Sequence, residues 1–204
     1  MSRPVATVAG DPVSVDEVDE REARLRTGFR AAALPASGTS EGRQLRRWLT
    51  QLIVTERVVV VEAAARGVAE HDAPTEADLL PNATARLEIG SVAAAALADL
   101  RARALFAAVT ADVEVSDDDV ADYHARNPLR FASPCPVPHG WRAPSDVGPP
   151  LQEVRSVIAE HLRGAARRRA FRIWLDARRA AMVQLAPGYE HPGDPRQPDN
   201  THRH

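Results

Sequence analysis

Two long stretches with apolar residues at three- and four-residue steps constrain this chain more than anything else in it. Leu45, Trp48, Leu49, Leu52, Ile53, Val59, Val60, Ala63 and Ala64 form the first; Leu151, Val154, Ile158, Leu162, Ala165, Phe171, Trp174, Leu175, Met182 and Leu185 form the second. That repeat follows the turn of an α-helix and not the two-residue alternation of a strand. The spacing predicts one helix over about 43–66, ended by Gly67, and another over 151–185, which Gly164 lets bend. Val58–Val61 alone reads as a strand. β-Branching, however, lowers helix preference by only a few tenths of a kcal/mol per residue, so the flanking period prevails.

The remaining segments are shorter. Val5–Val8 and Val13, around Gly10-Asp11-Pro12, predict a hairpin of two brief strands. Ser14, three residues before Glu17, makes a capping box for a helix expected to reach about Ala33, where Leu34-Pro35 and a Ser/Gly stretch stop it. Thr75 to Asp78 can cap a short turn, and Ser91–Thr110 carries alanine and leucine at helical spacing. Ser116 with Asp117, Asp118 and Asp119 places a cap and three carboxylates at the positive end of another helix. Consecutive helical side chains diverge, so those aspartates read as capping charges and not as a metal site. Pro134, Pro136, Pro138, Pro144, Pro149 and Pro150 make 132–150 an extended linker.

Composition bounds the function. A chain of 204 residues, 44% hydrophobic and 26% charged, has room for one ordinary core, or one core with a small annex. Aromatics are only 4%, so helices must pack closely on alanine around a few bulky anchors: Trp48, Phe106, Phe171 and Trp174. All 26 basic residues are arginine, a bias expected of a GC-rich actinobacterial genome. A formal charge of −2 leaves little field to gather nucleic acid; the cluster Arg163, Arg167, Arg168 and Arg169 reads as the solvated face of a helix. No apolar run suits a signal sequence or a membrane span, so a cytoplasmic protein with neither nucleic-acid nor membrane partner is expected. The single cysteine, Cys135, has no activating neighbour and reads as an incidental linker thiol.

Four segments, in this order, resemble one family. Val5-Ala-Thr-Val-Ala-Gly-Asp-Pro-Val-Ser with the helix after Asp16 resembles the opening hairpin and first helix of SurA/PpiC-type parvulin chaperones. Arg46-Arg-Trp-Leu-Thr-Gln-Leu-Ile through Ala65-Arg-Gly-Val resembles their second long helix. Val115-Ser-Asp-Asp-Asp-Val-Ala-Asp-Tyr-His-Ala-Arg-Asn-Pro-Leu-Arg-Phe resembles the approach to the parvulin domain, and Leu151–Leu185 resembles the helix that returns after it. The resemblance implies a mainly α, SurA-like helical chaperone core with a short N-terminal β-hairpin and an extended C-terminal tail. Its parts would be a hairpin and helical core over 1–131, a Pro-rich linker over 132–150 in place of the parvulin domain, a completing helix over 151–186 and a tail over 187–204. With no isomerase domain, no isomerase site is carried over.

Two functional readings stand. In the first, the protein is a chaperone-like, non-enzymatic binder that holds a peptide, a partner protein or a hydrophobic small molecule in a helical cradle, with Trp48, Phe171 and Trp174 as anchors. Self-association is left open. In the second, the scaffold is an enzyme of natural-product biosynthesis, of polyketide type, working through its tail. There His202 and His204 stand two apart on one side of an extended chain, a spacing that suits two ligands of a divalent transition metal, with His191, Asp194 or Asp199 completing the shell. Tyr123 beside His124, and Tyr189 before His191, supply acid/base groups for the same reading.

Overall fold

The computed structural model describes residues 4–28, 31–71, 73–131, 135–136, 142–143 and 148–191. In chain order they form β1 (Pro4–Val8), β2 (Asp11–Ser14), α1 (Val15–Arg26), a 3-10 turn at Ala31–Ala33, α2 (Ser40–Arg66), α3 (Glu76–Leu79), α4 (Ala83–Ile89), α5 (Ser91–Ala96), α6 (Leu100–Val109), α7 (Asp117–Arg126), β3 (Cys135–Pro136), β4 (Arg142–Ala143), α8 (Leu151–Met182) and β5 (Val183–Leu185). The protein is mainly helical, with a small antiparallel sheet of order β2-β1-β5. Two compact units are present: one takes the chain up to Val109 and from Phe171 onward, the other runs Thr110–Ala170.

In the first unit the hairpin turns on Ala9 and Gly10, both with positive φ (51° and 92°), and Val8 pairs with Asp11 across the turn. Two positive φ values match the right-handed twist of the flanking strands, which is why such turns favour Asn-Gly. Glycine accepts this conformation freely, whereas the alanine methyl is crowded by the backbone. Strand β2 leads directly into α1, whose start is the capping box expected from the sequence: the Glu17 amide donates to Ser14 Oγ and the Ser14 amide to Glu17 Oε1. The helix stops at Arg26, short of the expected Ala33. Thr27 Oγ1 bonds back to the Arg24 carbonyl, and the chain passes Gly28 before the 3-10 turn.

Helix α2 is the centre of this unit. From Leu49 to Thr55 every residue is buried, so the helix has neighbours on all sides there: β1, α1, α5 and α6 pack against it. Val58 and Val59 lie in that helix and not in a strand, and Gly67 ends it with φ 59° in the left-handed region. The main core joins Val5, Val13 and Val18 to Leu49, Val54, Leu105, Phe106, Phe171 and Leu175. The single helix expected over 91–110 is two. The Asp99 carboxylate accepts from the amides of Arg101 and Ala102, a capping arrangement that restarts the helix after a break at Leu97–Asp99. The helix expected to reach Leu185 likewise ends at Met182. Val183, Gln184 and Leu185 pair with Val8, Thr7 and Ala6 because β1 offers an open edge whose amides and carbonyls require partners.

In the second unit, the Ser116/Asp119 capping box opens α7 as expected. Val120, Val154 and Ile158 make a cluster of their own, with Tyr123, Phe131, Leu151 and Leu162 against it. In this cluster α7 packs on the first half of α8. Tyr123 Oη lies 3.2 Å from His161 Nε2, and His124 Nε2 lies 2.9 Å from the Pro149 carbonyl. The basic cluster is not uniformly solvated either, since Arg168 is buried and Arg167 Nε donates to Thr110 Oγ1 at 2.8 Å. Most of the Pro-rich segment, Cys135's side chain included, lies outside the described residues, apart from the pairing of β3 with β4.

The strained turn yields a prediction. Ala9 is exposed, and its amide donates to the Met182 carbonyl at 2.8 Å, a bond any non-proline residue keeps. Ala9→Asn should stabilise the protein by about 0.5–1 kcal/mol by relieving the left-handed alanine. In urea the midpoint should rise with the slope unchanged; a lower midpoint would mean that the alanine methyl contributes packing that outweighs its strain.

Candidate functional site

Within the first unit, a cavity of about 400 Å³ opens beside the middle of α2. Ile89 and Gly90 at the end of α4, Val92 and Ala93 on α5, Leu175 on α8 and Leu185 on β5 make its apolar wall. Arg172, Asp176 and Arg179 follow Leu175's face of α8 at offsets of three, one and four residues, so all four side chains share one side of the helix. Gln51, from the buried middle of α2, and His191, beyond β5, complete the lining.

Gln51 organises the polar side. Its Nε2 donates to the Tyr189 carbonyl at 2.9 Å, which turns Oε1 toward Arg179 Nη2. Arg179 Nη1 donates to Thr55 Oγ1 at 2.8 Å, and Thr55 in turn donates to the Gln51 carbonyl at 2.8 Å. Both acceptors of the Arg179 guanidinium are thus neutral. Burial pushes its pKa below the ordinary arginine value, and the charge of Asp176 acts in the opposite direction. Arg172 is exposed and donates to the Glu88 carbonyl at 3.1 Å. Among the described residues neither arginine has a carboxylate within ion-pair distance.

The adjacent Arg178 is treated differently. Its Nε donates to Glu62 Oε1 at 2.6 Å, and Arg66 pairs with the same carboxylate. Glu62 is buried at 2% exposure, which pushes its pKa up, but hydrogen bonds and charge from Arg66 and Arg178 more than offset this and hold it below the usual carboxylate value. Glu22 repeats the pattern with Arg26 and Arg46. Each of these buried carboxylates engages two arginines, while the hydrogen bonds of Arg179 among the described residues go to neutral oxygens.

The residues singled out from the sequence fall in several places. Phe171 is buried in the main core, 4.9 Å from the Phe106 ring and 5.6 Å from Trp174. Trp174 is partly buried, with the Arg66 guanidinium 5.1 Å from its ring centre. Trp48 packs against the same core and its Nε1 donates to Ser91 Oγ at 3.2 Å. The structure brings Phe171 and Trp174 together, while the cavity wall is made by other side chains. His191 lines the cavity; His202 and His204 lie outside the described residues, as do Asp194 and Asp199. Among the described residues no group of three or more His, Cys, Asp or Glu side chains is placed to hold a metal ion. Sequence reasoning missed Gln51, Arg172 and Arg179. The heptad separation of the two arginines, flanking Leu175 on one face, was the available signal, but in a chain whose 26 basic residues are all arginine it does not stand out.

Comparison with known proteins bears on a limited stretch. Residues 4–41 match a family of unknown function (DUF7158). The match spans β1, β2, α1 and the first residues of α2, and contains none of the residues that line the cavity. No curated protein and no solved structure matches the chain significantly. Among the described residues no helix is long and apolar enough to cross a membrane.

The Glu62 cluster sets an acid limit on stability. A carboxyl whose pKa is lower in the folded than in the unfolded state stabilises the fold above its unfolded value, near 4.5, and loses that contribution as pH falls through the lower, folded value. Glu62→Gln should therefore be less stable at pH 7 and should show a shallower loss of stability than the native protein on acidification below about pH 5. Breaking a fully buried pair costs roughly 3–5 kcal/mol; with Arg66 and Arg178 still 38% and 41% exposed, about 2 kcal/mol is expected. Parallel pH–stability curves for the two proteins would contradict this assignment.

Proposed function

We propose that the protein is a chaperone-like, non-enzymatic binder without prolyl-isomerase activity, which holds a peptide, a partner protein or a hydrophobic small molecule. The observation that carries this reading is the cavity itself: an apolar wall of Ile89, Val92, Ala93, Leu175 and Leu185, bordered by a few polar groups whose positions are set by hydrogen bonds to the frame. Such a combination of apolar lining with a few fixed polar groups is what ligand sites generally present. The resemblance to SurA/PpiC-type chaperone cores supports it further, because hairpin, first helix, long helix and the returning part of α8 all contribute to one unit. Trp48 and Trp174, partly buried at the edge of the main core, are the aromatic anchors this reading assigns, with Phe171 holding Trp174 from beneath.

One observation favours the second reading, an enzyme of natural-product biosynthesis with a tail-borne metal or acid/base site: His191, the first histidine of the tail, lines the cavity. That reading requires a transition metal bound by His191, His202 and His204, or those histidines acting as acid and base.

The binder reading predicts that the full chain suppresses aggregation of a denatured client near equimolar ratio and binds a subset of apolar peptides or small apolar ligands at micromolar concentration. Binding should alter the fluorescence of Trp48 or Trp174. The absence of both holdase action and any binding across a peptide array and an apolar ligand panel would refute it.

A further inference from the structure

We propose that the cavity between α2, α5 and α8 selects a monoanionic carboxylate carried on an apolar body, with Arg179 as the principal receptor and Arg172 as the outer one. This rests on the binder reading above and names the ligand class of the same site.

The argument begins with Arg179. A partly buried cation is costly unless charge or hydrogen bonds compensate it, and the chain does compensate its neighbour Arg178 with the buried Glu62 carboxylate. Arg179, one residue further and facing the cavity, donates among the described residues to Thr55 Oγ1 and Gln51 Oε1, and the Asp176 charge acts on it without an ion pair. A guanidinium carries five N–H donors in a planar fork; these two bonds leave three, and the bonds that are made hold the fork in place. Gln51 is itself fixed by the Tyr189 carbonyl, so the receptor is held before any ligand arrives. A carboxylate can accept two parallel bonds from such a fork, and desolvation strengthens the pairing. Arg172 lies two turns earlier on the same helix face and donates only to a neutral backbone carbonyl.

The remaining groups narrow the ligand. Ile89, Val92, Ala93, Leu175 and Leu185 offer an apolar wall that a small inorganic anion would not use. Asp176 stands between the two arginines on α8, and its negative charge opposes a doubly charged phosphate more strongly than a singly charged carboxylate. A volume of about 400 Å³ suits a medium-length acyl or aryl acid, or the last residue or two of a peptide ending in a free carboxylate. Both sources share one chemistry, an anionic carboxylate next to an apolar group.

The test uses the full chain and five probes in calorimetric titration: octanoate, octanol, inorganic phosphate, and a leucine-terminated peptide with a free and with an amidated C-terminus. Octanoate, the free-acid peptide or both should bind, and loss of the charge, in octanol or the amide, should weaken binding at least about tenfold. Arg179→Gln should weaken carboxylate binding by a similar factor, Arg172→Gln by less, and Asp176→Asn should tighten it. Binding of octanoate alone marks a small acid as the source and binding of the peptide alone marks a chain terminus; either supports the proposal. Equal binding of charged and neutral probes would overturn the carboxylate assignment while leaving the binder reading intact, and phosphate binding as tight as octanoate would overturn it too. If no probe binds and no ligand emerges from the peptide array, the binder reading itself falls. Should Arg179→Gln fail to fold, the exposed Arg172 and Asp176 variants decide: opposite changes in affinity support the site, and no change in either rejects it.

Discussion

The structure depends on a helix that has no solvent-facing side at its middle. Seven successive residues of α2, from Leu49 to Thr55, are buried, and three of them are polar. Each must find a partner inside the protein, because a buried polar group without one costs more than its hydrogen bond contributes. Thr50 and Thr55 bond back to carbonyls one turn earlier on α2. Gln51 cannot be satisfied that way, and the chain after β5 supplies the Tyr189 carbonyl for its amide while α8 supplies Arg179 for its oxygen. The burial of one helix thus determines where the segment between β5 and Tyr189 must lie.

The same requirement shapes the electrostatics. In a chain that uses arginine for every basic position, buried carboxylates can always be met by planar, multi-donor guanidiniums. Glu22 gathers Arg26 and Arg46; Glu62 gathers Arg66 and Arg178. These clusters tie α1 to α2 and α2 to the end of α8. Arg179 departs from the pattern, and it does so where the packing leaves a cavity. A cation hydrogen-bonded to neutral oxygens, with the Asp176 charge outside ion-pair distance, beside an apolar wall is a local concession in stability of the kind that binding sites make.

Much of the fold was legible in the residues. The capping box at Ser14, the caps at Thr75 and Ser116, the Gly67 stop and the helical period of 43–66 all describe local chemistry within one turn, and each stands in the structure where the sequence placed it. The break at Leu97–Asp99 was hidden by an alanine- and leucine-rich stretch whose propensity is helical throughout; Asp99 could have signalled a restart, but an aspartate is tolerated within helices as well. Short α4 was not read from the sequence, although Asn82 caps it.

The elements that eluded local reading are those whose partners are distant in sequence. Val183-Gln184-Leu185 has the alternation of a strand but is too short to be distinguished from the helix that feeds it until β1, some 175 residues earlier, offers its free edge. The division of α8 between two hydrophobic clusters is equally invisible, since Val154, Ile158, Phe171 and Leu175 follow one unbroken period. The cavity belongs to this class as well. Its polar side combines a glutamine of α2, two arginines of α8 and a carbonyl beyond β5, none of which is unusual by itself. The sequence alone determined the long helical segments, several of their caps and which of their faces are apolar, because those follow from interactions within a few residues. Which faces meet, how Arg178 receives a carboxylate while Arg179 does not, and where space is left between them were decided only by the tertiary packing, because they depend on groups such as Glu62 and Arg178 or Gln51 and Arg179, brought together from 116 and 128 residues apart.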